Sequence, residues 1–171
     1  MPADPAVTLR PARTQDVHAI RELVRPLAER RVLLQKEAVA FYEAIQEFVV
    51  AEDADGALAG FGALHVMWED LAEVRTLAVA DGVQGRGVGH LLLDELLDRA
   101  RRVGVSRVFC LTFEVEFFRR HGFEVMADQS AVDPEVYAEL LRSTDEGVAE
   151  FLDLARVKPN TLGNTRMIRT L

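Results

Sequence analysis

The sequence predicts a mixed α/β fold in one domain, an α+β arrangement in which a mixed sheet has helices on both faces. Three observations predict it. Three strand-like runs between residues 47 and 80 are separated by short turns, so an antiparallel meander is the economical pairing. A glycine-dense turn at 81–89 then opens one long amphipathic helix. Beyond that helix the chain alternates strand, helix and strand, the pattern of a βαβ unit.

The elements are read in order. Val7 and Leu9 mark a first strand. Thr14 offers an N-cap, and Val17, Ile20 and Val24 recur at helical spacing until Pro26 stops the run. Residues 28–36 read as a loop or broken helix. A second helix covers Glu37 to Ile45, with Val39, Tyr42 and Ile45 facing inward. Strands follow at Glu47–Glu52, Leu58–Met67 and Ala72–Ala80, separated by the turn signals Asp53-Ala54-Asp55-Gly56 and Glu69-Asp70. Val88, Leu92, Leu96, Ala100 and Val103 line one face of the long helix. Arg99, Arg101 and Arg102 suit its C-terminal end, and Gly104 stops it. Arg107–Leu111 is a buried-looking strand, Glu114–His121 a short helix and Phe123–Met126 a strand.

Length and composition bound the function. A chain of 171 residues suits one domain, and 49% hydrophobic with 28% charged residues supports a full core. No apolar run approaches the roughly 20 residues of a membrane span, and residues 1–13 lack the apolar core of a secretory signal. The single cysteine, Cys110, excludes an internal disulfide and fits a reducing compartment. A cytoplasmic protein with no membrane partner is expected. The net charge of -8 disfavours nucleic acid, whose phosphates need dense Lys and Arg. Four scattered histidines and one cysteine show no zinc spacing, so no metal is expected.

Gln84-Gly85-Arg86-Gly87-Val88-Gly89 is the most informative stretch. Three glycines in five residues let backbone amides point into one concavity, and the helix that begins there adds positive potential. A pyrophosphate fits, with Arg86 supplying a charge-assisted contact. A dinucleotide fingerprint requires an acidic residue about 20 positions on, where residues 101–105 have none. A phosphate-binding loop of the Gly-Lys-Ser/Thr type is absent. A tight turn without a ligand is the remaining alternative.

The strand Glu73-Val74-Arg75-Thr76-Leu77-Ala78-Val79 followed by that turn resembles the signature of the GNAT acetyltransferases. The later Phe117-Phe118-Arg119-Arg120-His121-Gly122-Phe123 matches the aromatic-helix-Gly-Phe ending of the same family, so the resemblance spans roughly residues 7 to 126. It implies the GNAT acyl-CoA N-acyltransferase fold and acetyl-CoA as co-substrate. It assigns Leu77, Ala78 and Val79 to the pantetheine arm and acetyl group, and Gln84, Gly85, Arg86, Gly87, Val88 and Gly89 to the pyrophosphate.

Attack on a thioester needs a neutral amine, whereas α-amino groups have pKa around 8 and lysine around 10.4, so a base must help. The family often places a base carboxylate on the strand before the turn, which here points to Glu73. Alternation puts Glu73 and Leu77 on one face, about 13 Å apart at 3.3 Å per residue, a distance suited to a water relay. Family members frequently use a tyrosine as acid for the leaving thiolate; its position here is Phe118, which has no transferable proton and is left as a coenzyme A contact. Thr112 or water is the substitute. Cys110 is either a covalent acyl carrier or a buried structural thiol; its apolar neighbours Val108, Phe109 and Leu111 suit the second.

For the acceptor, three segments resemble the GNAT domains of N-acetylglutamate synthases: residues 33–36, residues 62–65 and Asn160-Thr161-Leu162-Gly163-Asn164-Thr165-Arg166-Met167. With residues 157–159 added, the last resembles the short stand-alone form found in actinobacteria. That form makes N-acetylglutamate, or acetylates glutamine, at the start of arginine biosynthesis. The resemblance implies a small amino-acid partner held by Lys36, His65, Arg75, Asn164 and Arg166, the last two on the final strand. Two carboxylates on glutamate require at least two such clusters. His65 stands where relatives often carry lysine, which leaves room for glutamine. Residues 1–171 form one catalytic domain on this reading, with 127–171 a substrate-side extension and last strand. Within it, residues 133–154 hold two helices, around Pro134, Val136, Leu140 and Leu141 and around Val148, Phe151 and Leu152. They serve as a lid or as a packing or homodimer element. Acetylation of a protein amine or polyamine, and acyl-CoA sensing without turnover, are the rival readings.

Overall fold

The computed structural model describes residues 6–33, 36–127, 132–160 and 163–171, the side chains of 158–160 excepted. The elements in chain order are β1 (Val7–Pro11), α1 (Val17–Glu29), α2 (Ala38–Glu43), β2 (Phe48–Asp53), β3 (Leu58–Trp68), β4 (Leu71–Val79) and α3 (Val88–Val103). They continue with β5 (Arg107–Thr112), α4 (Val115–Arg120), β6 (Glu124–Val125), α5 (Pro134–Leu140), α6 (Glu146–Phe151) and β7 (Thr165–Thr170). Two compact units share these elements: Met1–His65 with Val74–Arg102, and Val66–Glu73 with Val103–Leu171.

In the first unit β2 pairs antiparallel with both β1 and β3, and β4 is the next neighbour of β3. Phe61 and Ala63 of β3 join a core with Val17, Ile20 and Val24 of α1 and Phe41 of α2. Gly60 and Gly62, on the opposite face by strand alternation, admit α3. A Cβ on Gly62 would stand 2.9 Å from both Leu77 and Leu96 side chains, and one on Gly60 would stand 2.8 Å from the Ala78 carbonyl. Helices therefore cover both faces, as the sequence predicts.

Four details differ from the sequence reading. Thr14 opens a 3₁₀ turn rather than capping α1. Asp16 stands at the N-cap of α1, but its carboxylate makes no cap bond to that helix; it closes the 3₁₀ turn, accepting the Arg13 amide at 2.7 Å and the Arg10 guanidinium at 2.8 and 2.9 Å. Pro26 does not end α1. The helix runs to Glu29 because Leu27 and Ala28 still pack on the core, and the ring forfeits only one amide bond. In α2, Val39 and Tyr42 are 58% and 50% exposed while Phe41 is buried against Phe48, the ring centroids being 5.9 Å apart. A six-residue helix spans under two turns, too few to phase from periodicity, and the largest apolar ring took the core. In α3 the buried face is Val88, Leu92, Leu93, Leu96, Leu97 and Ala100, but Val103 is exposed, because Gly104 at φ +103 ends the helix just beyond it.

The second unit carries the parallel pairing. Leu71–Glu73 of β4 align with Arg107–Phe109 of β5. Strand β7 runs antiparallel between β5 and β6, from Thr170 opposite Arg107 to Thr165 opposite Thr112. Helices α5 and α6 sit where residues 133–154 suggest helices. Leu140, Val148, Phe151 and Leu152 close a core over Leu71 and Phe109, and the Phe109 and Phe151 rings meet edge to face at 5.4 Å. Within its unit the segment packs on that core, and Leu141 is exposed. Among the described residues no helix is long and apolar enough to cross a membrane.

Candidate active site

The glycine-dense turn is built as its composition suggests. A 3₁₀ turn at Asp81–Val83 ends at Gln84, whose side-chain amide donates to Asp81 at 3.2 Å. Gly85 and Gly87 take φ of +78° and +85°, and a Cβ at either would meet nothing within 4 Å. Backbone conformation rather than crowding therefore demands glycine at both positions. The first α3 bond runs from the Leu91 amide to the Gly87 carbonyl at 3.1 Å. The amides of Val88 and Gly89 precede it and have no acceptor within the helix. Arg86 is exposed, and its guanidinium makes no ion pair among the described residues. Open amides, a helix of 16 residues and an unengaged cation converge here, a combination that binds anions.

Strand β4 leads into this turn, with Leu77 and Val79 half-buried and Ala78 buried. Thr76 was not foreseen from the residues around it. It lies in mid-strand at φ +56°, the left-handed region that a β-branched residue rarely enters. The alternation argument linking Glu73 to Leu77 does not carry across this residue, since the strand period is interrupted between them. Register of β4 against β5 is confined to Leu71–Glu73.

Glu73 is buried, not a solvated edge carboxylate. On β5, Cys110 is 1% exposed, and burial pushes its thiol pKa well up, with the negative charge of Glu73 adding to the effect. A thiol held protonated is a poor nucleophile, which resolves the two readings of Cys110 toward a structural thiol. Thr112, also buried, accepts the Glu114 amide at 2.8 Å and so shapes the turn into α4. Phe118 is buried between Phe117 and Phe123, edge to face with both at 5.2 and 5.1 Å.

The acceptor residues divide between the units. In the first, Lys36 is half-buried just ahead of α2. His65 sits on β3 with Nδ1 2.7 Å from the Glu47 carboxylate. Glu47 is a partner that sequence reasoning missed, since its turn lies 18 residues away. Arg99 fixes that turn from α3, donating to the Gln46 and Glu47 carbonyls at 3.2 and 2.9 Å. Its burial lowers the guanidinium pKa. In the second unit Asn164 is half-buried and stands one residue before β7 rather than on it. Arg166 is on β7, and its guanidinium donates to the Glu150 carbonyl at 3.0 Å and to that of Phe151, at the end of α6. Of the acceptor motifs, Leu34, Gln35, Thr161 and Leu162 lie outside the described residues, as do the side chains of Lys158, Pro159 and Asn160.

Comparison with known proteins agrees with this geometry. Residues 17–123 match the model of the acetyltransferase (GNAT) family. The chain is 52% identical to an amino-acid acetyltransferase of Mycobacterium tuberculosis, over 99% of its own length and 98% of the relative's. It is 36% identical to the amino-acid acetyltransferase of Neisseria meningitidis over 71% of its length, but spans only 28% of that longer protein. Among solved structures it superposes on Rv2747 from M. tuberculosis in complex with CoA and NLQ, with TM-score 0.91, 53% identity and coverage of 96% and 99% of the two chains. N-acetylglutamate synthase from Neisseria gonorrhoeae, complexed with coenzyme A and N-acetyl-glutamate, follows with TM-score 0.77 and 29% identity over 96% of this chain and 35% of that one. With more than half its length matched by the family model and a relative of the same size at this identity, the chain belongs to the GNAT acetyltransferase family.

Proposed function

We propose that the protein transfers the acetyl group of acetyl-CoA to the α-amino group of L-glutamate or L-glutamine, the opening step of arginine biosynthesis. The observation that carries this is the likeness, over nearly the whole of both chains, to an amino-acid acetyltransferase. Two similar structures, one in complex with CoA and NLQ and one with coenzyme A and N-acetyl-glutamate, support the acceptor.

In this mechanism the pyrophosphate rests on the amides of the 84–89 turn with Arg86 beside it. The pantetheine arm runs along Leu77–Val79, and Phe118 contributes an apolar contact. Lys36, His65, Arg75, Asn164 and Arg166 hold the amino acid. Glu73 accepts a proton from the ammonium, through water. The freed amine adds to the thioester carbonyl, so a C–N bond forms and the C–S bond breaks, and the second proton that the nitrogen sheds passes through Thr112 or water to the thiolate. Glu73 is buried on β4, away from bulk solvent. Residues 1–171 act together as one catalytic domain.

Incubation with radiolabelled acetyl-CoA and a panel of glutamate, glutamine, polyamines and peptides tests the proposal. Label is expected in N-acetylglutamate or N-acetylglutamine. Label only in amines or peptides moves the acceptor, and no transfer at all with coenzyme A bound turns the protein into a sensor.

A further inference from the structure

Arg99, Arg101 and Arg102 stand in the last turns of α3, and two of them serve the helix itself. Arg101 pairs with Asp98 and Arg102 with Glu95, each at 2.7 Å on the exposed side, contacts that contribute little. Arg99 differs. It is half-buried and makes no ion pair among the described residues. Its Nη1 instead crosses to a part of the chain 52 and 53 residues away, donating to the Glu47 and Gln46 carbonyls at 2.9 and 3.2 Å.

Those carbonyls close the 3₁₀ turn Ile45–Glu47. A turn of three residues holds few internal bonds, and its last carbonyls have no amide within it to donate to them. One charged nitrogen donating to two successive carbonyls fixes the direction of the chain there. Glu47 is the residue so held. Its side chain accepts from His65 Nδ1 at 2.7 Å, so the backbone and side chain of one residue link α3 to β3.

We infer that Arg99 is a positioning residue for the amino-acid acceptor, acting through Glu47 on the His65 ring. The inference rests on the proposed contact of His65 with that acceptor. Without the guanidinium the turn shifts, and Glu47 carries its oxygen away from Nδ1. The ring then samples more than one orientation, and the acceptor has to order it on binding. Acceptor binding weakens as a result. The coenzyme turn, at the other end of α3 and about 16 Å away along the helix, is unaffected.

Arg99→Met keeps an apolar stem and removes the donors. It is expected to raise the acceptor KM about fivefold, with the KM for acetyl-CoA and the far-UV circular dichroism unchanged. Arg99→Lys, which retains one cationic donor, falls between Arg99→Met and the parent. In a His65→Ala background Arg99→Met adds nothing further. Nitrogen NMR of the imidazoles is a second readout that needs no acceptor. The His65 signals, identified by their loss in His65→Ala, show a protonated Nδ1 in the parent and a mixture of tautomers in Arg99→Met. A His65→Ala variant with the parent's acceptor KM removes His65 from acceptor binding, and the inference with it. The inference alone fails if His65→Ala raises that KM but Arg99→Met does not. It fails equally if Arg99→Met raises both KM values alike, or if the His65 signals are the same in Arg99→Met and the parent.

Discussion

The imidazole Nδ1 of His65 lies 2.7 Å from Glu47 Oε1, joining β3 to the turn that precedes β2. A carboxylate only accepts, so Nδ1 carries the hydrogen and Glu47 sets the orientation of the ring. Both side chains are about a quarter exposed (25% and 28%), which makes the pair worth about 1 kcal/mol. With His65 on the amino-acid acceptor, Glu47→Gln raises the KM for that acceptor about fivefold and leaves the KM for acetyl-CoA alone. Steady-state kinetics with each substrate varied in turn checks this, and equal changes in both constants would remove His65 from acceptor binding.

A buried carboxylate acting as base has a distinct signature. Glu73→Gln lowers kcat by about 10² to 10⁴ while calorimetric affinity for acetyl-CoA is retained. The limb of the pH–rate profile that reports the base disappears. A variant with the parent's pH profile shows that Glu73 serves packing alone.

Cys110 gives the opposite expectation. Its pKa is raised by burial and by Glu73, so native protein resists alkylation by iodoacetamide at pH 8, and Cys110→Ala retains turnover. The sign for stability follows from linkage. A folded-state pKa above the unfolded value of about 8.5 makes the unfolded chain the better proton donor at high pH. Stability present below that value then declines by about 1.4 kcal/mol per pH unit above it. Denaturant unfolding of parent and Cys110→Ala between pH 7 and 10 isolates this slope, which the variant lacks.

The Arg10–Asp16 pair anchors α1 to β1. Hydrogen bonding to Arg10 lowers the Asp16 pKa, against the opposing effect of burial. A depressed folded-state pKa gives stability that is present above the unfolded value of about 3.9 and is lost as pH falls through the folded one. Asp16→Asn therefore costs about 2 kcal/mol at pH 7, the scale of a charged hydrogen bond in a buried setting. The difference narrows below pH 4, as urea midpoints at the two pH values will record.

Much of this was legible in the residues. The glycines at 85 and 87, the buried stripe of α3 and the stop at Gly104 each follow from local rules that the structure obeys. The insertion of β7 between β5 and β6 was not legible, because strand neighbours separated by more than 40 residues leave no local pattern. Thr76 was hidden for a different reason. A β-branched threonine between Arg75 and Leu77 reads as ordinary strand, and nothing in its neighbours signals a left-handed backbone. Glu47 escaped because its partner His65 belongs to another strand.

Gly60 and Gly62 bear on how the protein can be made more robust. Exchanging glycine for alanine often gains about 0.4–1 kcal/mol by stiffening the unfolded chain. At these two positions the added methyl would stand 2.8 Å from the Ala78 carbonyl and 2.9 Å from the Leu77 and Leu96 side chains. Engineering by that route has to leave both of them alone.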